Sequence, residues 1–471
     1  MRLKSYIFIM APILFSSCSS ILLPTEKPMV QIPSTHEIAT DSINLVNLNW
    51  IDFFSDENLK ELIQEGINNN LDVQNAALNI DIAAANNQFI RGLQSPEVTA
   101  GTSAGVYKFG DYTQEWAGNK TTEMLPGRII PQHLPNYNVG FTSSWEVDVW
   151  GKIKMMSKAA QARFLSSFEA KKWLQTNLIY SIASNYYELV NIEKQIDIIN
   201  QNIDVQKKTL EIIKTLKQFG RSTEFAVTQF ESQILNASVE SQELNQAIIE
   251  RENDMNLILS RYPKSITRNK LTFNDSIYAF FKSGLPFNSL ENRPDVKRVE
   301  NELIASRFDA QIAKKAFYPS FNITGGLGLN GFSPSLLFTI PSAAYNILGG
   351  LTAPVFNRNA LKAAFKTASA SQIIALNNYQ QTIINAFSEV YTQHRILQNL
   401  LEAYKLKKEE VSTLENSMEN IELLFSTNRV DYIEVLLLQQ NILKAKLELQ
   451  NLQNRQNQVA LNLFKSLGGG Q

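Results

Sequence analysis

The sequence predicts a mixed, mainly α chain: two long coiled-coil helical hairpins, arranged as two structural repeats, with four short β-strands beside them. Three observations predict it. Lys152–Tyr262 and Asn357–Leu467 together hold one glycine and no proline, although the chain has 20 glycines and 15 prolines. These residues are the strongest breakers of a helix interior, so both stretches predict very long helices. Apolar residues recur at 3–4 spacing before the middle of each stretch, which is the seam of a left-handed coiled coil. Each stretch is also preceded by the same order of helix, strand, loop and strand.

The chain begins with Arg2 and Lys4, an apolar run Tyr6–Phe15, and then Ser16-Ser17-Cys18. A basic start, a short apolar core and small residues before a cut predict a signal peptide over 1–17. Cys18 then stands as the lipidated first residue of a lipid anchor and leader over 18–55; an ordinary signal peptide with a stray cysteine is the alternative. No other segment approaches the ~20 apolar residues of a spanning helix.

The first repeat is expected over 56–263. An amphipathic helix of about 57–91 ends at Ser95-Pro96, and strand 98–106 follows. Strand 137–147 alternates Tyr137, Val139, Phe141, Trp145 and Val147 with Asn138, Gly140, Thr142, Ser144 and Glu146. That is period two, with one apolar and one polar face. The first arm starts past Gly151. Its seam is Leu189, Ile192, Ile196, Ile199, Ile203, Leu210 and Ile213, with Gln206 in a skipped position. The ascending limb would span on the order of 100 Å at ~1.5 Å per residue. Gly220 marks its turn.

A linker or equatorial segment is expected over 264–290, and the second repeat over 291–471. Arg293-Pro294-Asp295 opens a helix running to about 317, with Pro in the first turn where its missing N–H is harmless. Strands 321–330 and 345–352 lead through Pro354-Val355-Phe356 into the second arm. Gly220-Arg221-Ser222-Thr223 aligns with Asn428-Arg429-Val430-Asp431 at an offset of 208. Gly and Asn take the left-handed conformation that ends helices, so both arms turn at the same point.

The four strands carry a functional implication. In lipid an open strand edge leaves backbone groups unsatisfied, so only closed barrels persist there. Membrane barrels start at about eight strands, and four cannot close. If these strands enter a membrane, several copies must share one barrel; a soluble cap of two hairpins on a helical rod is the other reading. Net charge is −1 with Lys and Arg scattered, which recommends no nucleic acid partner. Three histidines (His36, His133, His394) and one cysteine make no structural zinc site by themselves. Phosphate-loop, dinucleotide and zinc-protease motifs are missing, so neither cofactor nor enzyme is expected.

Trp145-Glu146-Val147-Asp148-Val149-Trp150-Gly151-Lys152-Ile153 resembles the strand-to-helix signature of TolC-type outer membrane factors, and the chain is similar to their lipoprotein branch. Leu285-Pro286, Arg293-Pro294-Asp295-Val296, Leu351-Thr352-Ala353-Pro354-Val355-Phe356-Asn357, Tyr432-Ile433-Glu434-Val435-Leu436 and Leu467-Gly468-Gly469-Gly470 support the likeness in order along the chain. Gln471 departs from the common terminal Trp.

The resemblance implies a homotrimer in the outer membrane of a Gram-negative bacterium. Each copy would add four transmembrane strands to one barrel, with 107–136 and 331–344 as external loops and the helices as a periplasmic tunnel. Partners would be a periplasmic adaptor and, through it, an inner-membrane pump. Efflux of drugs, efflux of metals and protein secretion all fit such a duct, and a pore-free coiled-coil lipoprotein is the alternative of another class. The resemblance places a gate at the periplasmic tips. Its first carboxylate falls on Glu434, with Asp431 one turn before and Leu437 where a second acid is common; Arg429, just ahead, reads either as a latch to a neighbouring tip or as a solvated turn residue. Asp431-x-x-Glu434 also fits a helix capping box. Trp145, Trp150, Gly151 and Phe356 are expected as anchors at the barrel–tunnel junction, with Glu146 and Asp148 beside Lys152.

Overall fold

The computed structural model describes residues 49–269, 287–426 and 429–469. Cys18, the leader, Asn428 and most of the 264–290 linker lie outside these residues. α1 (Trp50–Phe53) precedes the first repeat, which holds α2 (Glu57–Asn69), α3 (Leu71–Gly92), β1 (Glu97–Tyr107), α4 (Gln114–Thr121), β2 (Glu123–Leu125), β3 (Arg128–Ile129), β4 (Leu134–Val147), α5 (Lys152–Gln218) and α6 (Glu224–Ile258). The second holds α7 (Pro294–Lys315), β5 (Ser320–Gly331), α8 (Pro334–Leu337), β6 (Ala343–Thr352), α9 (Ala360–Ser426) and α10 (Tyr432–Ser466).

The duplication is regular to the residue. Both ascending helices have 67 residues and both descending helices have 35. At ~1.5 Å per residue the longer limb extends about 100 Å. α6 reaches only part of the way up α5; α3 and α7 lie along α5 above it. Gly151 and Asn359, 208 positions apart, both take positive φ (71° and 63°) just before an ascending helix. The second arm therefore starts at Ala360, not at Asn357 as the proline-free stretch suggested, because Arg358 and Asn359 are both left-handed.

The turns are equivalent as well. Gly220 has φ +69°, and the amide of Arg221 donates to Leu216 O at 2.8 Å. The amide of Arg429 donates to Leu424 O at 2.9 Å, which is the same bond moved by 208 residues. This six-to-one closure is what a left-handed residue after a helix provides.

Along α5 the seam is buried at Leu189, Ile192, Ile199, Ile203, Leu210 and Ile213. The second arm carries the same 3–4 spacing along α9, in a seam buried at Leu397, Leu400 and Val411 and half-buried at Met418, Ile421 and Phe425. Its skipped position, Lys407, is held by Glu410 at 2.6 Å and Glu448 at 2.8 Å.

The helix expected over 57–91 is broken at Asn70. Asn70 Oδ1 accepts from the amide of Val73 (3.0 Å), capping α3, while its Nδ2 donates to Ile258 O (2.8 Å) at the end of α6. The cap and the tertiary bond together outweigh the helical pattern of the sequence. The expected external loop 107–136 contains α4 and the β2–β3 hairpin.

The largest core lies at mid-height of the arms. Phe53 stacks on Phe464 (centroids 4.1 Å) and Phe54 meets the same ring edge-on (5.9 Å), joining the first helix to the last. Ile179, Ile182, Tyr186, Met255 and Leu259 fill the space below. Tyr186 donates to Asp56 Oδ2 (2.6 Å) and accepts from the amide of Asn269 (3.1 Å). Burial, then the bond to Asp56, pushes its phenol above the ordinary value, so it stays a neutral donor. Arg293, 2% exposed, pairs with Asp295 (2.8 Å) and Glu389 (3.1 Å) and donates to Ser466 O (2.6 Å), tying α7, α9 and α10 together. Burial works to discharge the guanidinium, and the two carboxylates outweigh it.

Replacing Arg293 with Met removes the cation of this buried network and strands its acids. We expect a loss of about 3 kcal/mol, the scale for breaking a buried pair from one side. Thermal unfolding of the extracted protein checks this, and an unchanged midpoint contradicts it.

Candidate functional site

β1, β4, β5 and β6 form one antiparallel sheet in that order. Register carries the period-two pattern of each strand across all four. Ala100, Phe141, Leu327 and Tyr345 line up in one row. With them on the same face stand Val98, Val106, Val139, Trp145, Ile323, Ile347 and Leu351. The other face carries Ser103, Asn138, Thr142, Asn322, Asn330 and Asn346. Asn330 donates to Asn136 (2.9 Å) and to Asn138, and Asn138 to Ser103 (3.3 Å).

Among the described residues the apolar face packs on no helix layer: Val98, Phe141, Leu327, Tyr345, Ile347 and Leu351 are all exposed. Two edges also stay open among the described residues, because β1 and β6 each pair on one side only. An isolated sheet with an apolar exposed face and two long free edges does not persist in water.

Two strands approach closely inside the sheet. Gly140 pairs with Gly328, and a Cβ on Gly140 would lie 2.6 Å from Leu327 O and 2.7 Å from Gly328 Cα. Only backbone stands in the way there, so no rotamer change makes room.

Trp145 and Trp150 hold the sheet to the helices within this chain. Trp150 Nε1 donates to Pro319 O (2.7 Å), its ring stacks on Tyr318 (5.3 Å), and Lys315 Nζ donates to its carbonyl. Trp145 Nε1 donates to Gln94 O (3.1 Å). Together they tie the β4–α5 link to the α7–β5 turn and to the end of α3. Gly151, left-handed, offers no side-chain cap to α5. Asp148 supplies it instead, accepting from the amides of Ile153 (3.0 Å) and Lys154 (2.8 Å). Of the two acids expected near Lys152, only Glu146 pairs with it (2.6 Å). Asp148 does not, because two helix-start amides occupy its carboxylate. This cap was legible only as an acid just ahead of a helix. Phe356 is 87% exposed and Val355 97%, so neither is an anchor within one chain.

At the far end, Asp431 is the N-cap of α10, but its Oδ1 takes the amide of Tyr432 (2.6 Å) rather than that of Glu434. The amide of Glu434 goes to the backbone carbonyl of Asp431 (3.1 Å), so no reciprocal capping box forms. In the first hairpin Thr223 caps α6 without charge, accepting from the amide of Ala226 (3.2 Å). Capping alone therefore does not require an acid at 431. Asp431, Glu434 and Arg429 are exposed, and so is Leu437 (52%).

A family model described as outer membrane efflux protein matches residues 62–260 and 285–469, most of both repeats. The chain belongs to the outer membrane efflux protein family. It is thus an efflux duct, not an enzyme. Among curated relatives, the probable outer membrane lipoprotein SilC of Salmonella typhimurium is 25% identical over 471 residues, covering 99% of this chain and 97% of that protein. The cation efflux system protein CusC of Escherichia coli K12 is 24% identical over 451 residues, 94% of this chain and 95% of that one. A solved CusC structure matches the fold with a TM-score of 0.82 at 22% identity, covering 95% of this chain and all of that one. The toluene efflux pump outer membrane protein TtgF of Pseudomonas putida is 24% identical over 430 residues, covering 90% and 85%. Among the described residues no helix of this efflux protein is long and apolar enough to cross a membrane.

Replacing Gly140 or Gly328 with Val sets a side chain against a neighbouring backbone. We expect loss of membrane-inserted, gel-stable oligomer while the helical circular dichroism signal persists. An oligomer as abundant as wild type contradicts the close-approach account.

Proposed function

We propose that three copies of this efflux protein close one barrel, the β6 edge of each pairing with the β1 edge of the next. The carrying observation is the sheet itself: four strands, two unpaired edges and one exposed apolar face. Lipid does not satisfy an open edge, so the free N–H and C=O groups need strands from other chains. Two copies would give eight strands, whose interior side chains fill. Three give twelve and leave a lumen, with the asparagine-rich face inward and the apolar face toward lipid. A pore-free rod would leave that apolar face to water.

The lipid on Cys18 would hold the trimer in the outer membrane of a Gram-negative cell, a reading supported by the leader sequence and by the description of SilC. The helical arms would run through the periplasm to meet an adaptor and, through it, an inner-membrane pump. Val355 and Phe356, unburied in one chain, would pack between copies just below the barrel. Relatives of equal identity are named for cations and for toluene, so we assign the choice of cargo to the pump and a passive passage to this chain.

At the tips, rings of Asp431 and Glu434 would favour cations and a ring of exposed Leu437 would form the constriction, both known selectivity devices. Arg429 would latch each tip to its neighbour. The uncharged cap at Thr223 supports a role for Asp431 beyond capping.

Planar-bilayer recording tests the duct: the reconstituted protein should conduct in discrete steps, and a trimer that never conducts, even with altered tips, sinks the reading. The double change Asp431→Ala, Glu434→Ala should lower the cation-over-anion permeability ratio roughly twofold or more; an unchanged ratio leaves these acids no part in selectivity. Cys18→Ala should abolish palmitate labelling while the trimer still forms, and labelling that persists removes the anchor assignment.

A further inference from the structure

The two ascending helices depart from a pattern that the others keep. Among the described helices of eight residues or more, α2, α3, α4, α6, α7 and α10 each carry an acid in the first turn. α5 and α9 carry none. Their first two turns hold lysine instead: Lys154 and Lys158 in α5, and Lys362 and Lys366 in α9 at the same offset of 208. α5 has no acid before Glu169, and α9 none before Glu389. A cation near a helix N-terminus opposes the macrodipole, so helix formation does not account for either pair. Asp148 answers the dipole of α5 with its carboxylate, but its counterpart in the second repeat is Phe356.

The four side chains are exposed, and none pairs with an acid among the described residues. Lys158 lies over the Phe308 ring at 5.6 Å. Their side of the helix follows from Lys152, which reaches Glu146 (2.6 Å) on the asparagine face of the sheet, in register with Asn322. At about 100° per residue, Lys154 and Lys158 stand roughly 200° and 240° further round α5, on the side of the apolar face. Exposed Arg91, Lys314 and Arg358 share this level; of its acids, Glu146 and Asp148 are taken and Glu97 is exposed.

Each lysine pair follows an exposed aromatic, Trp150 or Phe356, at the foot of the strands. Lys158 lies about 9 Å along α5 from its start at ~1.5 Å per residue. A headgroup layer is about 5–7 Å thick, and the long stem of lysine covers the difference. Aromatics followed by cations mark a membrane boundary, where each Lys adds attraction to an anionic surface.

We propose that these four lysines hold the phosphates of anionic phospholipid in the periplasmic leaflet, forming a belt around the assembled copies. The inference rests on the reading of a shared barrel in lipid. The occupant is phospholipid because the cations continue the exposed apolar face of the sheet. Headgroup and acyl chains then meet matching surfaces at once.

Native mass spectrometry of the full-length protein, released from nanodiscs of equal phosphatidylglycerol and phosphatidylcholine, tests this. The wild type should retain phosphatidylglycerol about fivefold or more over phosphatidylcholine. In the variant Lys154→Gln, Lys158→Gln, Lys362→Gln, Lys366→Gln that preference should vanish. A control with the same change at exposed Lys207, Lys208, Lys405 and Lys408, far along the arms, should keep it. If the fourfold variant does not assemble, Lys362→Gln with Lys366→Gln alone should lower the preference. Equal retention of both lipids by the wild type, or an equal loss in the control, overturns the belt. Failure of the barrel reading looks different, because the protein then neither inserts nor conducts in bilayers. A trimer that conducts while retaining both lipids alike loses only the belt.

Discussion

The hydrogen-bonding groups along the free edges of β1 and β6 constrain everything else in this molecule. Inside one chain nothing meets them among the described residues, and a hydrocarbon surrounding offers no water in their place. The remedy is other chains, and the number of chains then sets the pore. Register helps, because the asparagines of β4, β5 and β6 share one face while most aromatic and aliphatic side chains of the four strands stand on the other, Tyr107, Leu134 and Leu348 excepted, with no slip between rows. Closure as proposed would sort the side chains into a wet lumen and a lipid-facing wall.

Duplication serves the same end. Two arms of equal length, each preceded by a helix and two strands, give one subunit two equivalent contributions to sheet and tunnel. The ties between them are concentrated where the geometry changes. Trp150 and Lys315 bind the two strand–helix links to each other at the barrel base, and Arg293 binds three helices at the waist. Away from these points the hairpins meet through polar pairs as well as apolar contacts, among them Ser184 with Gln458, Glu188 with Asn454 and Thr209 with Gln439.

Much of this was legible in the sequence because its signals are local. The scarcity of Gly and Pro located both arms, the left-handed Gly220 located one tip, and the alternation in 137–147 located a strand and its faces. What escaped depended on distant partners. The break at Asn70 hangs on Ile258 O, 188 positions away. The capping by Asp148 depends on Gly151 turning the chain back onto it. The seam pattern showed Gln206 as an odd residue, but its full burial without a partner follows from packing that no periodicity reports. At the candidate gate the sequence offered a capping box, and the chain makes only the cap.

The mass of the detergent-extracted particle tests the shared barrel most directly. Native mass spectrometry should find a species of about three chains, each slightly below the 53.2 kDa of the full sequence because residues 1–17 are removed, that inserts into bilayers. A lone chain that stays soluble without detergent and ignores lipid would contradict the account at its root.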